Sequence, residues 1–153
     1  LAYAGSCTFA RSLSLNTGIQ LYAYMRIKDS LEQDSSTFKA EIDRIKILLE
    51  AMDNIPKSLL LVDEMLRGTN SEDKLKGSLA FLERVIKSEA YALVATHDLR
   101  MTDMAQTYPE SSKNYYFEYD AEDGELIFDY KMKPGICQSF NASELLRSVG
   151  LEV

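Results

Sequence analysis

Apolar residues recur along this chain with two distinct periods. Phe38, Ile42, Ile45, Leu49 and Met52 follow one another at alternating steps of four and three, which is one stripe of a helix facing a core. A polar, loop-like stretch at 29–36 precedes that helix, and Pro56 ends it. Residues 59–62 are an unbroken apolar run, the pattern of a parallel strand covered on both faces by helices. Leu75, Leu79, Leu82 and Ile86 mark a second helix with Asp73 as a plausible cap, and residues 91–95 read as a second buried strand. Strand, long helix, strand in this order predicts a right-handed parallel crossover. Upstream, residues 13–15 and 19–25 read as strands, and the small apolar residues of 1–10 as the last turn of a buried helix entering a loop. Downstream, a short helix is expected over 99–106. Strands are expected over 115–119 and 126–132, with Asp123-Gly124 as the hairpin turn between them. Lys133-Pro134-Gly135 is expected to break the second strand. Asn141 and Glu144 form a capping-box pattern for a last helix that Gly150 would close. The class implied is α/β, with a mostly parallel sheet flanked by helices and a C-terminal β-hairpin.

Composition narrows the picture only slightly. The 153 residues are 46% hydrophobic and 27% charged, which suits one globular domain with a core and excludes disorder as an overall description. The net charge is -7 and the basic residues are scattered among acids, so a sequence-independent grip on nucleic acid by this piece is not expected. Contact with DNA would belong to other domains. Cys7 and Cys137 form neither a metal-like spacing nor a disulfide framework, which fits a reducing cytoplasm. No apolar stretch is long enough to span a bilayer, so no membrane contact is expected. Leu1 is not a start methionine and no signal pattern follows it, so it reads as a truncation point.

The chemistry gathers where the strands end. Asp63 and Glu64 close the first buried run and Thr96-His97 follows the second, so Asp63, Glu64 and His97 should meet at the carboxyl edge of the sheet. In open α/β sheets ligands bind at that edge. Asp63 suits magnesium held largely through water, since that ion prefers oxygen ligands and keeps much of its hydration shell. Glu64 suits the task of orienting or deprotonating an attacking water beside a γ-phosphate. His97, the only histidine, can hydrogen-bond the same phosphate or water. Each residue also has a plainer reading: two solvated acids at a strand end, and a structural histidine. Ser35-Ser36-Thr37-Phe38 opens the strongest helix, where Ser36 can cap the helix, face an anion, or do both. Arg67-Gly68-Thr69-Asn70 is either a connecting loop, with Gly68 permitting a tight turn, or a loop that meets a second copy of the domain and couples two nucleotide sites. Cys7, Cys137, the tyrosine-rich hairpin and its acidic tip are read as packing and solvated surface. No G-x-x-x-x-G-K-[ST] phosphate cradle occurs in the 153 residues, and it is expected to lie upstream.

Three strings occur in order: Ser-Ser-Thr-Phe-x-x-Glu, Leu-Leu-Val-Asp-Glu-x-x-Arg-Gly-Thr, and Ala-Thr-His-Asp-Leu. Together they resemble the ATPase domain of the MutS mismatch-repair family, from Leu1 to about Gly150. Ala2-Tyr3-Ala4-Gly5 is similar to the segment after that family's phosphate-loop helix. Lys133-Pro134-Gly135 and Asn141-Ala142 are similar to its C-terminal stretch. The resemblance implies a P-loop NTPase fold of the ABC type, here the C-terminal portion over 1–153, working with ATP and Mg2+ as a nucleotide-sandwich dimer. The partner would be a second copy or a MutS-like subunit. It implies Asp63 as the magnesium-side Walker B acid, Glu64 as the catalytic base and His97 as the switch histidine. Ser36 becomes the signature serine reaching the opposite subunit's γ-phosphate, and Arg67, Gly68, Thr69 and Asn70 the interface loop.

Two departures point to a divergent branch. Asp73 is followed by Lys74-Leu75-Lys76-Gly77 rather than directly by glycine, and Asp34-Ser35 replaces the usual Gly-Arg before Ser36. Without a phosphate cradle, the 153 residues alone are expected to show no measurable hydrolysis. The competing expectations are the head domain of another ABC-type ATPase and a non-catalytic dimerisation module.

Overall fold

A computed structural model of the chain describes residues 6–8, 10–16, 18–25, 37–55, 57–122 and 125–137. They belong to two units, Leu1–His97 and Asp98–Val153.

The first unit is built on three parallel strands: β1 (Gln20–Tyr24), β2 (Ser58–Asp63) and β3 (Tyr91–Ala95), lying side by side in chain order. Helix α1 (Thr37–Asn54) joins β1 to β2, and α2 (Ser71–Ile86) joins β2 to β3. Two successive crossovers of the same hand in the same direction put both helices on one face of the sheet. The core agrees. Leu48 and Met52 of α1 and Phe81 and Val85 of α2 pack with Tyr24, Leu60 and Val62 of the sheet and with Met65 and Leu66 just after β2. Those strand residues share a face, because Tyr22, Leu60 and Ala92 stand in register, as do Tyr24, Val62 and Val94.

Among the described residues the expectation of cover on both faces is not met at 91–95, while Leu59 and Leu61 of β2 are half-buried. Burial alternates along β3, and Leu93 is 65% exposed; Leu21 and Tyr91 are exposed on the same face. An apolar run marks a strand but not the number of layers packed on it, and α1 and α2 both serve the other face.

The helices occupy the expected spans with the buried face shifted. In α1 the buried positions are Glu41, Leu48, Ala51 and Met52, while Ile42, Ile45 and Leu49 flank them and Phe38 is exposed. In α2 they are Ser78, Phe81 and Val85, with Leu75, Leu79, Leu82 and Ile86 half-buried. Small Ser78, which is 1% exposed, lets the helix backbone approach the layer beneath. The cap of α2 is Asn70 rather than Asp73: its side chain accepts from the N–H groups of Glu72 and Asp73. Residues 13–15 form no strand. Leu13 and Leu15 are exposed, and among the described residues no strand pairs with them. Residues 6–8 and 10 are irregular and exposed.

In the second unit, a 3-10 turn (Leu99–Asp103) runs into α3 (Met104–Thr107), close to the helix expected there, with Asp98 capping the turn. Strand β4 (Tyr115–Tyr116) pairs antiparallel with β7 (Lys133–Pro134), and β5 (Tyr119–Glu122) with β6 (Glu125–Phe128). The hairpin is therefore present, but Lys133-Pro134 forms a strand instead of breaking one. The interruption comes earlier, around Tyr130, whose φ is 53°. Proline is tolerated in this short pairing because an edge position does not require its missing N–H. Lys133 bonds Glu118 at 2.7 Å and pairs with Asp129 at 3.2 Å, so part of the acidic surface is paired rather than merely solvated. Cys7 is exposed and Cys137 is half-buried. Among the described residues no helix is long and apolar enough to cross a membrane. The expected turn Asp123-Gly124, and the last helix with Asn141, Glu144 and Gly150, lie outside the described residues.

Candidate functional site at the carboxyl edge of the sheet

Strand β2 ends at Asp63 opposite Ala95, and the chain then turns sharply. Glu64 has φ 47°, and its N–H donates to the Ala95 carbonyl at 3.0 Å, sealing the β2–β3 edge one residue beyond the strand. Leu66 is also left-handed, with φ 55°, and its N–H donates to the Tyr24 hydroxyl at 3.3 Å. A left-handed residue with a side chain costs about 1–2 kcal/mol. Here the conformation is held because Met65 and Leu66 are both buried in the core.

The turn has a chemical consequence. In a continuing strand, Asp63 and Glu64 would point to opposite faces. With the alternation broken, one guanidinium reaches both: Arg67 Nε lies 3.0 Å from Glu64 Oε2 and Nη2 lies 3.6 Å from Asp63 Oδ2. The other Glu64 oxygen faces Lys74 Nζ of α2 at 3.8 Å and His97 Nε2 at 4.0 Å. The expected meeting of Asp63, Glu64 and His97 is thus present. Their exposures are graded: the side chain of Glu64 is 16% exposed, that of Asp63 45%, and that of His97 95%. Glu64 is sheltered behind Arg67 and Lys74, while Asp63 and the imidazole stand open to whatever approaches the edge.

The remaining expected residues are placed less uniformly. Thr69 is half-buried in the loop between β2 and α2. Asn70 follows it, with Oδ1 engaged by two amides and Nδ2 donating to Asp73 Oδ2 at 2.7 Å. Ser36 lies outside the described residues; α1 begins at the next position. Gly68 is required for a different reason from the one expected. Its φ is not left-handed, but a Cβ on it would sit 3.2 Å from the Cα, Cβ and N of Phe38, so the loop backbone lies directly against the head of α1.

The residue that sequence reasoning left without a role is Glu41. It is buried on α1, and its two oxygens accept the N–H groups of Arg67 at 3.1 Å and Gly68 at 3.0 Å. The Tyr24 hydroxyl, which accepts the Leu66 N–H, feels the charge of the same carboxylate. Burial, opposed by its bond from the Leu66 amide and reinforced by Glu41, pushes its pKa up to about 12. Glu41 closes the string Ser-Ser-Thr-Phe-x-x-Glu and heads the face 41/45/48/52, and these were its two signals in the sequence. Lys74 was also missed, a base in a first turn otherwise marked by Glu72 and Asp73.

Among the described residues no group of three or more His, Cys, Asp or Glu could by itself hold a metal ion. Magnesium arriving with a nucleotide needs less, because phosphates and water supply most of its ligands and one or two carboxylates suffice. Half-exposed Asp63 fits that demand.

The family model described as MutS domain V matches residues 1–150. The chain belongs to the MutS family. MutS protein homolog 4 of Homo sapiens is 29% identical over 147 residues, covering 92% of this chain and 15% of that protein. DNA mismatch repair protein MSH4 of Arabidopsis thaliana is 30% identical over 135 residues, covering 88% and 17%. DNA mismatch repair protein MutS of Thermus thermophilus is 29% identical over 151 residues, covering 99% and 18%. The chain therefore spans less than a fifth of the length of these MutS relatives.

Proposed function

We propose that these residues are the C-terminal part of a MutS-like ATPase domain with a P-loop fold of the ABC type, and that the β2–β3 edge is where the terminal phosphate of ATP rests. The observation that carries this is the convergence of Asp63, Glu64 and His97 from two adjacent strand ends. In this reading a phosphate loop elsewhere in the intact protein grips the nucleotide. The 153 residues hold none, so alone they do not turn ATP over.

The roles follow from exposure and chemistry. When bound, Mg2+ neutralises charge between the phosphates, and Asp63 is the carboxylate open enough to hold it through water. Glu64 orients a water toward the γ-phosphorus and takes its proton as the new oxygen–phosphorus bond forms. The bond to the bridging oxygen breaks, giving ADP and phosphate. His97 lies beside the Glu64 oxygen that faces Lys74 and is free to swing toward the γ-phosphate, being almost wholly exposed. Ser36, one position before α1 in the sequence, and Thr69 and Asn70 of the loop 67–70 would meet the partner domain's nucleotide in a dimer. Asn70 also keeps its structural duty as the cap of α2. ATP binding and hydrolysis would close and reopen that dimer and so act on DNA through other domains, in a protein of mismatch repair or a related repair task.

The test is Glu64→Gln in the full-length protein. Turnover should fall about 10²–10⁴-fold, the usual loss of a positioned acid–base group. ATP binding should persist, and the dimer should be held in its ATP state. Unchanged turnover and an unchanged oligomer would instead favour a non-catalytic dimerisation module.

A further inference from the structure

We infer that Glu41 is a positioning residue that fixes the loop 67–70, and through Arg67 the catalytic carboxylate Glu64, to the head of α1; this rests on the reading of the β2–β3 edge as the ATP site. Among the described residues Glu41 is the one fully buried Asp, Glu, Lys, Arg or His. A buried carboxylate persists only when its oxygens are bonded. Both are, by consecutive backbone amides 26 and 27 residues away in sequence. The neighbouring amide, that of Leu66, goes to the Tyr24 hydroxyl, whose pKa the Glu41 carboxylate helps to raise. Three successive N–H groups of the loop are therefore held by one helix residue and one strand residue.

The clamp is tight on its other side as well. Gly68 lies against Phe38, where an added methyl group would sit 3.2 Å from its Cα, Cβ and N, so the loop packs closely on the first turn of α1. The same Arg67 whose N–H is held by Glu41 sends its guanidinium back to Glu64 at 3.0 Å and Asp63 at 3.6 Å. The path from α1 to the rim is thus Glu41, the Arg67 backbone, the Arg67 side chain, and Glu64. Each step is a hydrogen bond or ion pair seen in the structure. A displacement of the α1 head, by a ligand or by the partner domain, reaches Glu64 without passing through the sheet. Glu41 itself touches no substrate, so its loss should misplace Glu64 rather than remove the chemistry.

The experiment compares Glu41→Gln with Glu64→Gln in the full-length protein. It measures steady-state ATP hydrolysis and amide hydrogen exchange. Glutamine keeps one acceptor but turns the other toward an amide as a donor. The expected result is a kcat reduced about tenfold or more with KM for ATP changed less than about threefold, the signature of misplacement rather than lost binding. The Arg67 and Gly68 amides should exchange faster, while those of Phe81 and Val85 in α2 keep their protection. If Glu64→Gln abolishes turnover and Glu41→Gln leaves kcat unchanged, this inference fails while the ATP-site reading stands. If Glu64→Gln leaves turnover unchanged, the ATP-site reading itself fails. Should the Glu41 variant not fold, the unmodified protein decides. Protected Arg67 and Gly68 amides support the clamp, and exchange there at the rate of an unstructured peptide overturns it.

Discussion

Glu41 and Glu64 attach to the same short loop and are held in different ways. Glu41 is buried and bonded to backbone N–H groups, which are present in every state of the loop and cannot swing away. Glu64 is sheltered but paired with the side chains of Arg67 and Lys74, with His97 alongside; Arg67 is anchored through its backbone, while Lys74 and His97 are the contacts that can turn to an arriving anion. One carboxylate is tied to architecture and the other to exchangeable charge. The difference separates a residue that sets geometry from one that can change partners during a reaction.

Stability measurements should expose this contrast most strongly. In urea unfolding of the chain, Glu41→Gln should cost about 2–3 kcal/mol, because a buried amide loses its acceptor and a charge-assisted bond disappears. Glu64→Gln should cost about 0–1 kcal/mol, since its ion pairs lie at a solvent-reached rim. Equal losses would erase the distinction. Gly68→Ala is the next largest, at about 1–2 kcal/mol. Its methyl group would press on the Phe38 backbone at 3.2 Å and push the loop off Glu41. Faster exchange of the Arg67 amide in that variant would locate the damage.

Tyr24→Phe gives the smallest effect and a sign. The Tyr24 pKa stands at about 12 rather than 10.0, so its neutral hydroxyl contributes fully below pH 10, and that contribution is lost as pH rises toward 12. The stability difference between the two proteins should therefore shrink across that alkaline window and stay constant below it. A difference that grows with pH would contradict the buried hydroxyl.

The rim was legible in the sequence because its parts end apolar runs. Asp63, Glu64 and His97 follow strands that β-branched and leucine-rich stretches announce, and parallel register brings adjacent strand ends together. Glu41 was not legible as a clamp, since its partners are amides that every residue carries. Counting only apolar residues also set the helix stripes to one side of the true buried faces, which include Glu41 in α1 and Ser78 in α2. The same habit made β3 look doubly covered, although Tyr91 and Leu93 are exposed. Leu13 and Leu15 looked like a strand because local composition carries no information about a missing neighbour. Asp73 looked like the cap because it is an acid near the helix start, but the chain enters α2 earlier, where Asn70 reaches two amides at once.

The most direct measurement is a structure of the full-length protein with Mg2+ and a non-hydrolysable ATP analogue. The γ-phosphate should lie at the β2–β3 edge, with Glu64 facing it across one water, Asp63 on the metal side and His97 within hydrogen-bond reach. A terminal phosphate seated away from that edge, with no water between it and Glu64, would contradict the account.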